Sequence, residues 1–143
     1  GIDFSLESVK TANNMKKELK ISNVDFIASD MNNINYPDRY FDYIVDTQSI
    51  YYSKNYLKTF NHLKKKLSDT GTLITMPGIG EKDQIKLYIN QIQTAGFSVQ
   101  DFRFIKATNL GETEHLPAIT CILREPKEKI DTDYIINKLF NSL

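Results

Sequence analysis

The sequence predicts an α/β fold, a sheet with crossover helices, and three observations predict it. Strand-like and helix-like segments alternate along the 143 residues, as they do when crossover helices connect parallel strands. The first three strand-like segments each end on an aspartate, Asp3, Asp30 and Asp46. The composition, 41% hydrophobic and 25% charged, is that of a globular chain with one core.

Charge and composition exclude several function classes. Eighteen basic residues balance eighteen acidic ones, so no overall field draws the chain to nucleic acid or an anionic surface. The one basic run, Lys64-Lys65-Lys66, reads as a solvated helix end. Cys121 is the only cysteine, which forbids an internal disulfide, and its apolar neighbours make it a buried thiol. Two histidines, His62 and His115, are too few for a metal centre of common spacing; no metal is expected. No apolar stretch is long enough to span a bilayer, and no secretory signal is visible, so a cytoplasmic protein is expected.

The elements follow in order. Residues 1–4 read as the end of a buried strand. Ser5 is an N-cap for a helix over 6–19, with Val9, Met15 and Leu19 on its buried stripe. Residues 24–28 form a short strand ending at Ser29-Asp30, and 41–46 a third strand with a polar exit. Leu57, Phe60, Leu63 and Leu67 give 56–67 helical spacing, and Gly71 in the following turn suits a left-handed position. Residues 72–76 are a strand, 82–94 a helix closed by Ala95-Gly96, and 97–105 and 118–124 the last two strands. Between those two, 106–117 is a long polar loop. Residues 124–129 are a linker to a terminal helix over 131–143.

The acidic strand ends carry the chemistry. Ligands of open α/β sheets lie beyond the carboxyl ends of the strands. A carboxylate there can accept both hydroxyls of a ribose, and a second one, a strand further on, can accept from an adenine amino group. Any single such aspartate is more often a turn former; three in succession describe an adenosine clamp.

Gly1-Ile2-Asp3-Phe4-Ser5, followed by Ser8-Val9-Lys10-Thr11-Ala12, resembles the second-strand motif of class I S-adenosylmethionine-dependent methyltransferases of the small-molecule, type 11-like kind. Phe26-Ile27-Ala28-Ser29-Asp30-Met31 resembles their third-strand motif. Residues 37–52, from Pro37-Asp38-Arg39-Tyr40-Phe41-Asp42 to the exit Asp46-Thr47-Gln48-Ser49-Ile50-Tyr51-Tyr52, resemble the fourth. The resemblance covers 1–126 and leaves 127–143 as a C-terminal helix. It implies a Rossmann-like sheet with helices on both faces, an antiparallel last strand, and S-adenosylmethionine as cofactor. It also implies that Asp3, with Phe4 beside it, holds the ribose, that Asp30 with Ser29 holds the adenine amino group, and that Met31 packs on the ring. Asp46 and Thr47 would line the methionine part.

The chain departs from the family at its front. Such domains begin with a strand and a Gly-x-Gly loop, where glycine permits close backbone approach to the cofactor, and nothing like it precedes Gly1. The missing strand would lie between the second and fourth. Either it belongs to the natural protein upstream of Gly1, which is the favoured expectation, or a partner chain or second copy completes the sheet, or the second strand pairs directly with the fourth. Ile2-Asp3 and Ile44-Val45 are therefore expected on neighbouring strands or facing a gap.

Absent motifs narrow the acceptor. The fourth-strand exit lacks the Asn-Pro-Pro-Tyr or Asp-Pro-Pro-Tyr of amino-methylating nucleic-acid enzymes, Cys121 does not follow a proline, and Pro77-Gly78-Ile79-Gly80 replaces the acidic pair of the metal-dependent catechol type. A small-molecule acceptor remains, with no nucleic acid and no membrane as partner. Tyr51 and Tyr52 are the site aromatics, or else pack under the next helix. His115, flanked by Glu112 and Glu114, is the candidate base in the 106–117 loop, or else an exposed histidine; His62 reads as surface. Gly78 and Gly80 suggest a flexible substrate-side loop.

Two other readings compete. A short-chain nicotinamide-dependent oxidoreductase shares the acidic strand ends, but needs a Tyr-x-x-x-Lys pair, expected to be absent here, and usually has Asn-Ala-Gly where this chain has Asp46-Thr47-Gln48. A degenerate or fragmentary methyltransferase-like domain would keep the fold without the activity.

Overall fold

A computed structural model describes residues 1–78, 81–109, 112–122 and 131–141, with 106–109 and 112–116 described by their backbone alone. The chain divides into two compact units, Gly1–Tyr36 and Pro37–Leu143.

The first unit holds β1 (Ile2–Asp3), α1 (Leu6–Glu18) and β2 (Ile27–Ala28). Its strands are parallel, with Ile2 opposite Ile27 and Asp3 opposite Ala28. Ser5 caps α1 as expected: its Oγ accepts from the Ser8 amide at 3.2 Å, satisfying one of the donors a helix start leaves free. At the other end Lys20 takes a left-handed φ of 54°. That lets its own amide reach the Lys17 carbonyl and the Ile21 amide reach that of Lys16, a Schellman closure made with lysine where glycine is usual.

Two expectations fail in this unit. Val9 is buried, but Met15 and Leu19 are exposed. A helix of 13 residues is about 20 Å long, and two strands of two residues can cover only its first turns. The second strand is also shorter than 24–28, because its ladder extends only as far as its partner β1.

The second unit contains β3 (Phe41–Thr47), a 3₁₀ turn (Ile50–Tyr52), α2 (Tyr56–Lys66), β4 (Leu67–Met76), α3 (Lys82–Thr94), β5 (Ser98–Asn109), β6 (Glu112–Ile122) and α4 (Thr132–Phe140). The strand order is β3-β4-β6-β5. β3 and β4 are parallel, and β6 runs antiparallel to both of its neighbours, so the α/β class and the antiparallel last strand are as expected. One sheet face carries Leu73, Thr75, Val99, Ile119 and Cys121, all buried. α3 supplies Ile85, Tyr88, Ile89 and Ile92, each fully buried, at the i, i+3, i+4, i+7 spacing of one helix face. Such side chains contribute about 1.5–3 kcal/mol each. The Phe60 ring of α2 meets Tyr88 and Phe97 edge-on at 5.2 and 6.4 Å. On the opposite sheet face Tyr43 and Val45 are exposed.

Three further expectations are corrected here. Gly71 is not left-handed, since Gly96 is the only described glycine with positive φ. A Cβ at Gly71 would instead lie 2.9 Å from the Leu67 side chain and 3.0 Å from the Ser68 carbonyl, so the position needs glycine for room. Residues 106–109 and 112–117 are not a loop: they extend β5 and β6 as a ladder, with Lys106 opposite His115. Because β4 pairs with β6 only over Thr72–Thr75, this part is a two-stranded ribbon, which tolerates a polar sequence. The lysine run is not simply solvated either. Lys64 Nζ donates to the Ala95 carbonyl at the end of α3 at 3.0 Å, a favourable place for a cation, and Lys66 pairs with Asp38 at 2.8 Å. β1 and β2 form one sheet and β3 to β6 another. Residues 124–129 lie outside the described residues.

Candidate cofactor site

Parallel pairing places the carboxyl ends of β1 and β2 side by side. The Ser29 amide donates to the Asp3 carbonyl at 2.9 Å, so the Asp3 and Asp30 loops leave the sheet together. Both aspartates are exposed, and both build a local turn with one oxygen. Asp3 Oδ1 accepts from the Ser5 amide at 2.7 Å. Asp30 Oδ1 accepts from the Asn32 amide at 2.7 Å and from its side-chain nitrogen at 3.2 Å. These are the Asx turns expected of aspartate before a helix or loop. They engage one oxygen of each carboxylate. Ser29 and Met31 are half-buried and Phe4 is exposed, within the same two loops.

The exit of β3 is built differently. Asp46 is 6% exposed. Its Oδ1 accepts from the Ser49 and Ile50 amides at 2.9 and 3.1 Å, and its Oδ2 from the Thr75 hydroxyl at 2.8 Å. Burial pushes its carboxyl above the ordinary value despite those donors. Gln48 adopts a left-handed φ of 67°, a conformation that strains a residue bearing a Cβ, while its amide extends the ladder to the Met76 carbonyl at 2.9 Å. The turn ends in Tyr51 and Tyr52, whose rings meet edge-on at 5.3 Å. Both are exposed, Tyr52 more so, and Thr47 is exposed beside them. Gly78 faces Gln48, since a Cβ there would lie 3.3 Å from Gln48 Cγ.

A family model described as a methyltransferase domain matches residues 1–91. The chain belongs to the methyltransferase domain family. The match takes in both aspartate loops, the β3 exit and most of α3. No curated protein matches the chain. Solved structures share its fold. An S-adenosylmethionine-dependent methyltransferase from Aquifex aeolicus is 18% identical, with a TM-score of 0.69 over 86% of this chain and 67% of that one. One from Methanosarcina mazei is 14% identical, with a TM-score of 0.67 over 85% and 80%. The [4+2]-cyclase SpnF is 22% identical, with a TM-score of 0.66 over 73% of this chain and 44% of that one; this chain thus spans less than half of SpnF's length. The S-adenosylmethionine in the names of the Aquifex and Methanosarcina proteins has an adenosine that offers adjacent hydroxyls and an amino group, the donors that carboxylate acceptors such as those of the first unit suit.

The remaining predicted residues are placed as follows. His115 is a β6 residue, not a loop residue; its side chain and those of Glu112 and Glu114 lie outside the described residues, as does Gly80. His62 is half-buried on α2. Cys121 is buried, and burial raises its thiol far above the ordinary range, as expected of a packing cysteine. Among the described residues no group of metal-ligating side chains gathers, and no helix is long and apolar enough to cross a membrane. The oxidoreductase spacing Tyr-x-x-x-Lys, expected to be absent, does occur, at Tyr134 and Lys138. Both sit on α4, with Lys138 over the Tyr134 and Phe102 rings at 5.8 and 6.0 Å. This places the pair against β5, the edge of the sheet opposite β3.

Thr75 and Tyr88, absent from the residues predicted for the site, complete the Asp46 site. The signal was present: a tyrosine in an otherwise aliphatic helix stripe must bury a hydroxyl and needs a partner for it.

Proposed function

We propose that the chain is the cofactor-binding part of an enzyme that transfers a methyl group from S-adenosylmethionine to a small-molecule acceptor. The observation that supports this best is the pair of exposed carboxylates, Asp3 and Asp30, on adjacent loops beyond the carboxyl ends of two parallel strands. Asp3, with Phe4 next to it, accepts the ribose hydroxyls. Asp30, with Ser29, accepts the adenine amino group, and Met31 packs on the base. The 46–52 turn, through Asp46 and Thr47, borders the methionine part, and Tyr51 and Tyr52 offer aromatic surface to the acceptor. His115 is the proposed base. When bound, the cofactor supplies an electrophilic methyl group on a sulfonium; the protein's share is to hold it and align the acceptor.

An acceptor of small-molecule type is supported by the missing nucleic-acid motifs and the balanced charge. A cytoplasmic setting is supported by one free, buried thiol, which suits a reducing compartment. A second copy or partner chain beside β1 or β3 belongs to the same proposal.

The likeness to SpnF favours one second reading. A [4+2]-cyclase on this fold means that the fold alone does not dictate methyl transfer. The test is mass spectrometry of S-adenosylmethionine incubated with the protein and a panel of phenols, quinols and amines. Acceptor-dependent formation of S-adenosylhomocysteine supports transfer. Cofactor binding without turnover across the panel supports the second reading.

A further inference from the structure

Resting on the reading that the 46–52 turn borders the methionine half of the cofactor, we infer that Thr75 and Tyr88 are positioning residues, a buried hydroxyl relay that aims that turn through Asp46. Neither residue faces the site. Thr75, Tyr88 and Ile50 are essentially fully buried, under the sheet face that α2 and α3 cover.

The direction of the relay follows from counting hydrogens. A threonine hydroxyl has one hydrogen. Thr75 gives it to Asp46 Oδ2 at 2.8 Å, so the 2.5 Å contact between Thr75 Oγ1 and Tyr88 Oη must be donated by Tyr88. Burial first, and then the Asp46 charge, push the Tyr88 phenol well above its ordinary value, so it keeps the proton it donates. The chain therefore runs from Tyr88 to Thr75 to the Asp46 carboxylate. The other oxygen of that carboxylate gathers the Ser49 and Ile50 amides.

The carboxylate links the relay directly to the turn, and the turn is under tension. Gln48, inside the span that Asp46 closes, is left-handed, and such a residue persists where its surroundings over-determine it. Tyr88 also supports the turn by a second route. Its ring packs edge-on against Tyr56 at 5.2 Å, and the Tyr56 hydroxyl lies 3.5 Å from the Tyr51 carbonyl. A tyrosine whose hydroxyl and ring both lead to one turn does more than fill the core.

The test compares two probes. S-adenosylhomocysteine carries the amino-acid part that the turn would border; methylthioadenosine lacks it. The variants are Thr75→Val, Thr75→Ser and Tyr88→Phe, titrated calorimetrically well below their melting temperatures, with the Ser49 and Ile50 amide resonances followed by NMR. The expected result is that Thr75→Val weakens S-adenosylhomocysteine at least fivefold and leaves methylthioadenosine within twofold. The two amide resonances move, and Thr75→Ser restores all three readings. Should Thr75→Val fail to fold, Tyr88→Phe decides, with an expected weakening of two- to fivefold in the same selective pattern. Unchanged affinities in the variants, or equal weakening of both probes, overturn the relay as a positioning device. A wild-type protein that binds neither probe overturns the methyl-transfer reading on which it rests.

Discussion

Thr75 sits opposite Asp46 in the parallel ladder of β3 and β4 and donates its hydroxyl to the Asp46 carboxylate inside the protein. Asp46 therefore serves as an internal cap: its donors include the Ser49 and Ile50 amides and Thr75. This distinguishes it from Asp3 and Asp30, whose exposed carboxylates are engaged by local turns through a single oxygen.

A pH dependence follows. Burial holds the folded Asp46 carboxyl above its ordinary value of 3.8, so the folded state binds this proton more tightly than the unfolded chain. Between the unfolded and folded values, raising the pH strips a proton that favoured folding, and stability falls with pH through that window. Tyr88, which reaches this site through Thr75, and the buried Cys121 near Tyr88 are both shifted upward and stay protonated there. Urea unfolding of wild type and Asp46→Asn from pH 4 upward should give a stability difference that turns against the wild type as Asp46 ionises. A flat difference across the range would contradict it.

Gly71→Ala should destabilise the protein by about 1–3 kcal/mol, the usual penalty for overpacking. Its Cβ would meet both the backbone of Ser68 and the fully buried Leu67, neither of which has room to yield. Thermal or urea unfolding checks this; an unchanged midpoint would show that the 67–71 segment shifts freely.

Lys20→Gly should stabilise the end of α1 by about 0.5–1 kcal/mol, because glycine takes a left-handed C′ position without the Cβ penalty. Hydrogen exchange of the Lys20 and Ile21 amides, which close the helix, should slow. Faster exchange would mean that the lysine contributes something its backbone does not reveal.

Where local chemistry decided the structure, the sequence was readable. Ser5 as a cap, α3 over its full length, and Ala95-Gly96 as its stop follow from residue types and spacing alone. What escaped depended on partners distant in the chain. Met15 and Leu19 obey the helical period, but periodicity does not say how much surface the two short strands can cover. Gly71 looked like a turn residue because a glycine's need for room and its need for positive φ leave the same mark in a sequence. The β5–β6 ribbon read as a loop because a two-stranded ladder can be polar. At the candidate site, the aspartates at strand ends were visible. Asp46 was not separable from the other two until Thr75, 29 residues further on, was placed against it.

The central claim is that Asp3 and Asp30 form an adenosine clamp, and calorimetric titration with S-adenosylhomocysteine tests it most directly. The wild-type protein should bind. Asp3→Ala and Asp30→Ala should each weaken binding by about 1.5–3 kcal/mol, the range for hydrogen bonds to a charged group, or roughly 10- to 150-fold. Wild-type binding that both substitutions leave unchanged would place the nucleoside elsewhere and contradict the account.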